Sequence, residues 1–259
     1  MEDTLLTPEF GFLLFFAFTA GFIDAIAGGG GLIQLPAFFL AFPALPPAVI
    51  LGSNKFAAFS GTSVATVRYL KNTSVPWRDV IPAIITALIF SVIGARLVSL
   101  FDKELFKPIV LILLVLVAIY TFIRKDFGLK KNEGLNQNKR LMIALLSGML
   151  LGIYDGFFGP GTGSFLMVIY ISIFGFDFLQ ASVSAKLVNC ATNFAALAYF
   201  AATGNIRYEL AIPVAICNIL GSLIGVRLAL LKGSGFIRGF FLLVVCGMII
   251  KFGWEIYAG

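Results

Sequence analysis

The chain has 259 residues, of which 59% are hydrophobic and only 12% charged, with a mean hydropathy of +0.99. Soluble domains are about 45–50% apolar and about 25% charged, and so few charges could not cover a water-facing surface, so a soluble domain is excluded and lipid is the natural solvent. The net charge of +6 comes from 19 basic and 13 acidic residues; the basic ones gather in a few short loops, as topology-setting charges do, so no nucleic-acid partner is implied.

Ten apolar segments are expected, at roughly 10–27, 31–43, 52–70, 80–100 and 106–124, then 141–158, 164–176, 183–203, 209–231 and 236–257. The start, Met1-Glu2-Asp3, carries no basic region of the kind that opens a secretory signal, so the first segment is expected to remain in the mature protein. A full helical span needs about 17–25 residues. Segments 31–43 and 164–176 fall short and read as half-helices or re-entrant turns, leaving eight or ten crossings open. Between Arg124 and Arg140 lies the one long polar stretch, rich in Lys and Arg, which reads as a cytoplasmic linker. The expected organisation is therefore a first repeat at 1–125, a basic linker at 126–140 and a second repeat at 141–259.

The repeat rests on residues that are rare inside spans. Asp24 and Asp155 are 131 apart (155 − 24), and the same offset pairs Gly21 with Gly152, Gly28 with Gly159, Gly30 with Gly161, Lys55 with Lys186 and Pro82 with Pro213. It also pairs Ile93-Gly94-Ala95-Arg96-Leu97 with Ile224-Gly225-Val226-Arg227-Leu228. The expected fold is thus an all-α integral membrane protein made of two homologous multi-helix repeats with glycine-broken helices. With an odd number of crossings per half the repeats are inverted, the arrangement favoured here; with four each they are parallel. The loop holding Arg68, Lys71 and Arg78 is expected inside. Inversion also places Lys232 and Arg238 inside, and both termini outside.

Polar information is densest at two breaks, Gly21-Phe22-Ile23-Asp24-Ala25-Ile26-Ala27-Gly28-Gly29-Gly30-Gly31 and Gly152-Ile153-Tyr154-Asp155-Gly156-Phe157-Phe158-Gly159-Pro160-Gly161-Thr162-Gly163. Consecutive glycines each cost about 1 kcal/mol of helix propensity and should interrupt the helix. Broken backbone at membrane depth is tolerated where protein or a water-filled cavity satisfies it, and the free N–H groups of the next half-helix form an anion site. The competing reading is close helix packing through small residues.

These motifs, with Ser53-Asn54-Lys55 and the run on to Ser164-Phe165, resemble the TauE/SafE sulfite-exporter family, also called the TSUP permeases, and within it the group of probable membrane transporters. The resemblance covers nearly the whole chain. It implies a multi-pass carrier of the bacterial inner (cytoplasmic) membrane for small sulfur-containing or organic anions such as sulfite or sulfonates, usually described as eight spans in two four-span repeats. It puts Asp24, Asn54, Lys55, Asp155 and Lys186 at functional positions. One departure is Ala185 where the first copy has Asn54; Asn189 and Asn193, a turn apart, are candidates to supply the second copy's polar groups.

The candidate substrate-binding set is Asp24, Gly28, Gly29, Gly30, Gly31, Asn54, Lys55, Asp155, Gly159, Gly161, Thr162, Gly163, Lys186, Asn189 and Asn193. Asp24 and Asp155 are also the candidates for proton coupling, since an intramembrane carboxylate is a functional hypothesis by default; a structural cap or ion pair with Lys55 or Lys186 is the alternative. The lysines could equally snorkel to the interface, and Arg96 and Arg227 read as interface anchors. Cys190, Cys217 and Cys246 lie in apolar runs and read as packing residues. No cofactor or metal is expected: there is no histidine and no metal-ligand spacing. Nor is there a phosphate-binding glycine loop or a nucleophile–base pair. A secondary carrier is therefore expected, with a passive anion channel as the alternative and an intramembrane enzyme disfavoured. The partners expected are lipid and a small anion, with homo-oligomerisation open.

Overall fold

The computed structural model describes residues 8–98 and 136–258, with backbone alone at residues 234, 235 and 237–258. The expected segment at 106–124, most of the linker and Arg238's side chain lie outside what is described. Among the described residues every regular element is a helix: α1 Pro8–Ala27, α2 Gly31–Ala41, α3 Pro47–Leu70, α4 Trp77–Val98, α5 Gln137–Phe157, α6 Thr162–Ser172, α7 Phe178–Ala202 and α8 Tyr208–Ala258. The last is bent at Gly233, whose φ is +69°, so the expected segments 209–231 and 236–257 are joined without a loop.

Four of these helices, Pro8–Ala27, Trp77–Val98, Gln137–Phe157 and Tyr208–Gly233, are long and apolar enough to cross a membrane. Their outward faces carry exposed apolar ridges at one-turn spacing. On α4 the ridge is Ile81, Ile85, Ile89 and Ile93; on α8 it is Ile212, Ile216, Leu220 and Ile224. Such ridges suit acyl chains, and each member of the second is 131 residues beyond its counterpart (212 − 81). By contrast α3 and α7 bury polar side chains, among them Asn54, Lys55 and Thr62 on one and Lys186, Asn189 and Asn193 on the other. Both helices start earlier than periodicity predicts. Pro46-Pro47 opens α3 with Pro at the first turn. At the matching point of α7, the Asp177 carboxylate accepts from the N–H groups of Leu179 and Gln180 at 2.8 and 2.9 Å. Lys55 and Lys186 are therefore two turns inside their helices, not at their ends.

Small residues let the apolar helices approach closely. On α5, Gly148, Gly152 and Gly156 face Ala83, Ala87 and Ser91 of α4, and a Cβ at Gly156 would stand 2.0 Å from the Ser91 carbonyl oxygen. On the other side Gly21 of α1 meets Asn218 of α8, and Gly221 and Gly225 of α8 meet Phe18 and Phe22 of α1. The seams exchange under the offset: Gly152 touches Ala87, Gly21 touches Asn218, and both 152 − 21 and 218 − 87 are 131.

The short helices fold back beside the long ones that precede them. Phe42, just past α2, stacks edge-on against Phe10 at the start of α1, with centroids 6.4 Å apart. Phe174, just past α6, lies under the Arg140 guanidinium at the start of α5, 5.0 Å away. Two apolar clusters divide the helix ends. One gathers the starts of α1, α3 and α8 with the ends of α4, α5 and α7. The other gathers the ends of α1 and α3 with the starts of α4, α5 and α7.

Arg140 also forks onto Asp79, at 2.6 and 3.0 Å, fastening α5 to the start of α4. Charged hydrogen bonds of this kind contribute about 1.5–3 kcal/mol, less with partial exposure. Arg140→Ala should therefore lower the melting temperature of the purified protein measurably, whereas Lys139→Ala, which lacks that partner, should not.

Candidate functional site

Gly28 has a φ of +76°, and Gly159 and Gly161 have φ of +102° and +84°, so each break turns the chain through the left-handed region before a short helix begins. The two breaks touch. Ser164 donates from its N–H to the Gly28 carbonyl at 3.2 Å and from its hydroxyl to the Ala27 carbonyl at 2.8 Å. A Cβ on Gly28 would come within 2.4 Å of Gly163.

Around this junction is a cavity with about 30 Å³ open to water-sized molecules. At about 10–15 Å³ per water position it takes an ion of a few heavy atoms. Its wall is formed by Asp24, Gly28, Gly30 and Gly31 from the first break, Asp155, Gly159, Pro160, Gly161 and Gly163 from the second, and Gln34, Asn54, Lys55, Ala58, Thr62, Asn189, Asn193 and Asn218. Most of the sequence-predicted residues are thus brought together. Three are not: Gly29, Lys186 and Thr162 do not line it, and the Thr162 hydroxyl is spent on the Gly159 carbonyl at 2.8 Å.

Two ion pairs cross between the halves. Lys55 of α3 meets Asp155 of α5 at 2.7 Å, and Lys186 of α7 meets Asp24 of α1 at 2.7 Å. Neither lysine snorkels: both are 2% exposed as whole residues. Lys55 also donates to the Asn193 oxygen at 3.0 Å, whereas Lys186 donates to the Asp24 backbone carbonyl, where a cation complements the C-terminal end of α1. Thr62 adds a hydroxyl to Asp24 at 3.3 Å. Arg96 and Arg227 lie exposed, away from the cavity.

The carboxamides are oriented by these contacts. An ammonium only donates, so Asn193 turns its oxygen to Lys55 and its amide nitrogen to the Asn189 oxygen, 3.3 Å away. The Asn189 NH₂ is then left for the cavity. A second chain runs from the Asn218 amide to the Gln34 oxygen at 2.6 Å and from the Gln34 amide to the Asn54 oxygen at 2.9 Å, leaving the Asn54 NH₂. Backbone N–H groups of Gly30, Gly31, Gly161 and Gly163 have no acceptor among the described residues. The unsatisfied polar groups are therefore mostly donors, placed where two helix N-termini converge.

Gln34, Thr62 and Asn218 were not anticipated. Gln34 and Asn218 each stand in an apolar run, and a lone carboxamide there is the signal that could have found them.

The sequence model of the family described as "Sulfite exporter TauE/SafE" matches residues 13–252. A "Probable membrane transporter protein ORF9" of Sinorhizobium sp is 34% identical over 244 residues, covering 93% of this chain and 90% of the relative. A "Probable membrane transporter protein" of Haemophilus influenzae is 35% identical over 222 residues, 85% of each chain. The "Probable membrane transporter protein YfcA" of Escherichia coli K12 is 33% identical over 241 residues, 93% of this chain and 88% of the relative. No solved structure matches the chain.

Proposed function

The chain belongs to the sulfite exporter TauE/SafE family, and from that premise and its cavity we propose that it is a secondary transporter moving a small anion across the bacterial cytoplasmic membrane. The family and the names of its relatives indicate a membrane transporter, not an enzyme.

The observation that carries the anion reading is the convergence of two helix N-termini on one cavity beside Lys55. Each terminus contributes about half a positive charge, and the cavity supplies amide donors besides. The two carboxylates do not reverse this sign, because each has a lysine at 2.7 Å. The small volume favours sulfite, sulfonate or another compact oxyanion. Lys55, Asn54, Asn189 and the glycine N–H groups would hold it, with Asn193 orienting Lys55.

Alternating access through the same site requires two gating halves. The 131-residue offset, the crossed ion pairs and the exchanged glycine seams support two duplicated halves, at 1–125 and 141–259 with the basic linker between. Their inversion is supported by α1 starting in one end cluster and α5 in the other.

The test uses purified protein titrated with sulfite, sulfate, thiosulfate, methanesulfonate and acetate, then reconstituted into vesicles. Saturable binding of one or more of these anions with saturable flux is expected. Binding of none would sink the anion reading. Flux that does not saturate would point to a channel on the same scaffold.

A further inference from the structure

We propose that Gln34 and Asn218 are positioning residues of the anion site, holding the Asn54 carboxamide with its NH₂ turned to the anion; this rests on the anion-carrier reading above. Gln34 reaches the site from α2 and Asn218 from α8. Their chain has a fixed foot. The Asn218 oxygen lies against Gly61 of α3, where an added Cβ would collide with it. With its oxygen seated there, Asn218 gives its NH₂ to Gln34, and Gln34 gives its NH₂ to Asn54. A carboxamide carries its acceptor and its donors on opposite arms, so each link passes the same polarity on, and the chain ends with Asn54 donating. Reversed, it would present the Asn54 oxygen to the cavity, where it would repel an oxyanion.

The matched positions show that helix packing does not require these amides. Adding 131 takes Gln34 to Phe165 and Asn54 to Ala185, and Asn218 is itself 131 beyond Ala87. None of the three counterparts carries an amide. The seat changes as well: Gly61 corresponds to Thr192, whose hydroxyl donates to the Asn189 carbonyl of its own helix at 2.9 Å. Carbon therefore fills these positions in one half of the offset. In the other, Gln34, Asn218 and Asn54 are between 2% and 5% exposed. Buried amides are costly unless hydrogen-bonded, and a partly satisfied network is worse than an apolar one. A chain retained where carbon would pack is explained by its free end, which donates into the cavity beside Lys55.

Asn54 needs such a hold because its neighbour in the chain is Lys55, and both line the cavity. Asp155 and Asn193 engage two of the Lys55 N–H groups, which leaves the third for the anion. Lys55 is also the one charged donor in the wall, and a carboxamide not otherwise held turns its oxygen toward a donor of that kind. The Gln34 NH₂ occupies the Asn54 oxygen, so Asn54 stays in its donating pose and the ammonium stays free for the anion.

The experiment titrates purified protein with thiosulfate and methanesulfonate, placing Gly61→Ala and Gln34→Met each in the wild-type and the Asn54→Ala background. Gly61 is outside the cavity wall, and the atoms nearest an added methyl are side-chain atoms of Asn218 and Ser222. The helix therefore accepts the alanine while Asn218 is pushed off its seat. Asn54→Ala should weaken binding about tenfold, the loss of one hydrogen bond to a charged group. Gly61→Ala and Gln34→Met should each weaken it about three- to tenfold in wild type, but less than about twofold in Asn54→Ala, because both act through Asn54. An effect of either that persists in full without the Asn54 amide would overturn the assignment, since direct contact with the anion or a general loosening of the cavity gives that result. So would unchanged binding in either single variant. Should Gln34→Met fail to fold, the Gly61→Ala cycle decides alone. Absence of binding by wild type to the whole anion panel would instead remove the carrier reading, and this assignment with it.

Discussion

Lys55→Met is expected to abolish anion binding and to destabilise the protein by about 3–5 kcal/mol, the usual result of stranding one member of a buried ion pair. Asp155 would keep its place in the cavity wall, 2% exposed, with its cation gone. The double variant Lys55→Met/Asp155→Asn should recover most of that stability, because a neutral pair of similar shape removes the unpaired charge. It should recover none of the binding. The two readouts therefore separate along the cycle: stability follows the pairing of charge, and affinity follows the ammonium alone. Thermal unfolding of all four proteins in one detergent, with thiosulfate or sulfite titrations, gives the coupling energy between two groups 2.7 Å apart. A double variant as unstable as the single one would mean that the Lys55 stem, not its charge, holds the site. Binding preserved in the double variant would remove Lys55 from the anion's path.

Much of this site is written in the sequence because its residues are improbable where they stand. An Asp or Lys inside an apolar segment demands a partner, and a run of glycines demands a break, so Asp24, Lys55, Asp155, Lys186 and the two breaks could be read without coordinates. The pairing could not. Sequence left each Asp free to meet either lysine, and the choice of Lys55 with Asp155 and Lys186 with Asp24 follows from how α3 and α7 pack between the halves. Periodicity also failed at the starts of α3 and α7, since Pro47 and Asp177 begin those helices in polar or proline-rich sequence ahead of the apolar run. The different fates of Lys55 and Lys186 were beyond reach for the same reason. A lysine's neighbours across a helix interface depend on tertiary contacts that the offset treats as equal, and Ala58 or Asn189 at one matched position already makes the two sides of the cavity unlike.

Gly28→Ala should be the most damaging single methyl in the described chain near the site, and Gly204→Ala is its control. Both glycines have positive φ, +76° and +70°, so an alanine at either is disfavoured by about 1–2 kcal/mol on backbone grounds. At Gly204 a Cβ meets nothing within 4 Å, and the cost stops there. At Gly28 the same Cβ would stand 2.4 Å from the Gly163 carbonyl carbon and 2.7 Å from the Ser164 nitrogen. Those are backbone atoms at the start of α6 and cannot rotate away, so the two breaks must separate. Overpacking of a tight contact adds about 1–3 kcal/mol. Separation also breaks the bonds from Ser164 to the Gly28 and Ala27 carbonyls, at about 1 kcal/mol each. The Gly204 variant should therefore melt slightly below wild type and bind anions normally. The Gly28 variant should lose several times more stability, and whatever folds should bind anions at least about tenfold more weakly, since each 1.4 kcal/mol of misplacement is tenfold. The measurement is a paired melting curve and anion titration for the two variants. Equal effects would show that only the local turn matters at Gly28, and that contact between the breaks does not hold the two helix N-termini at the cavity.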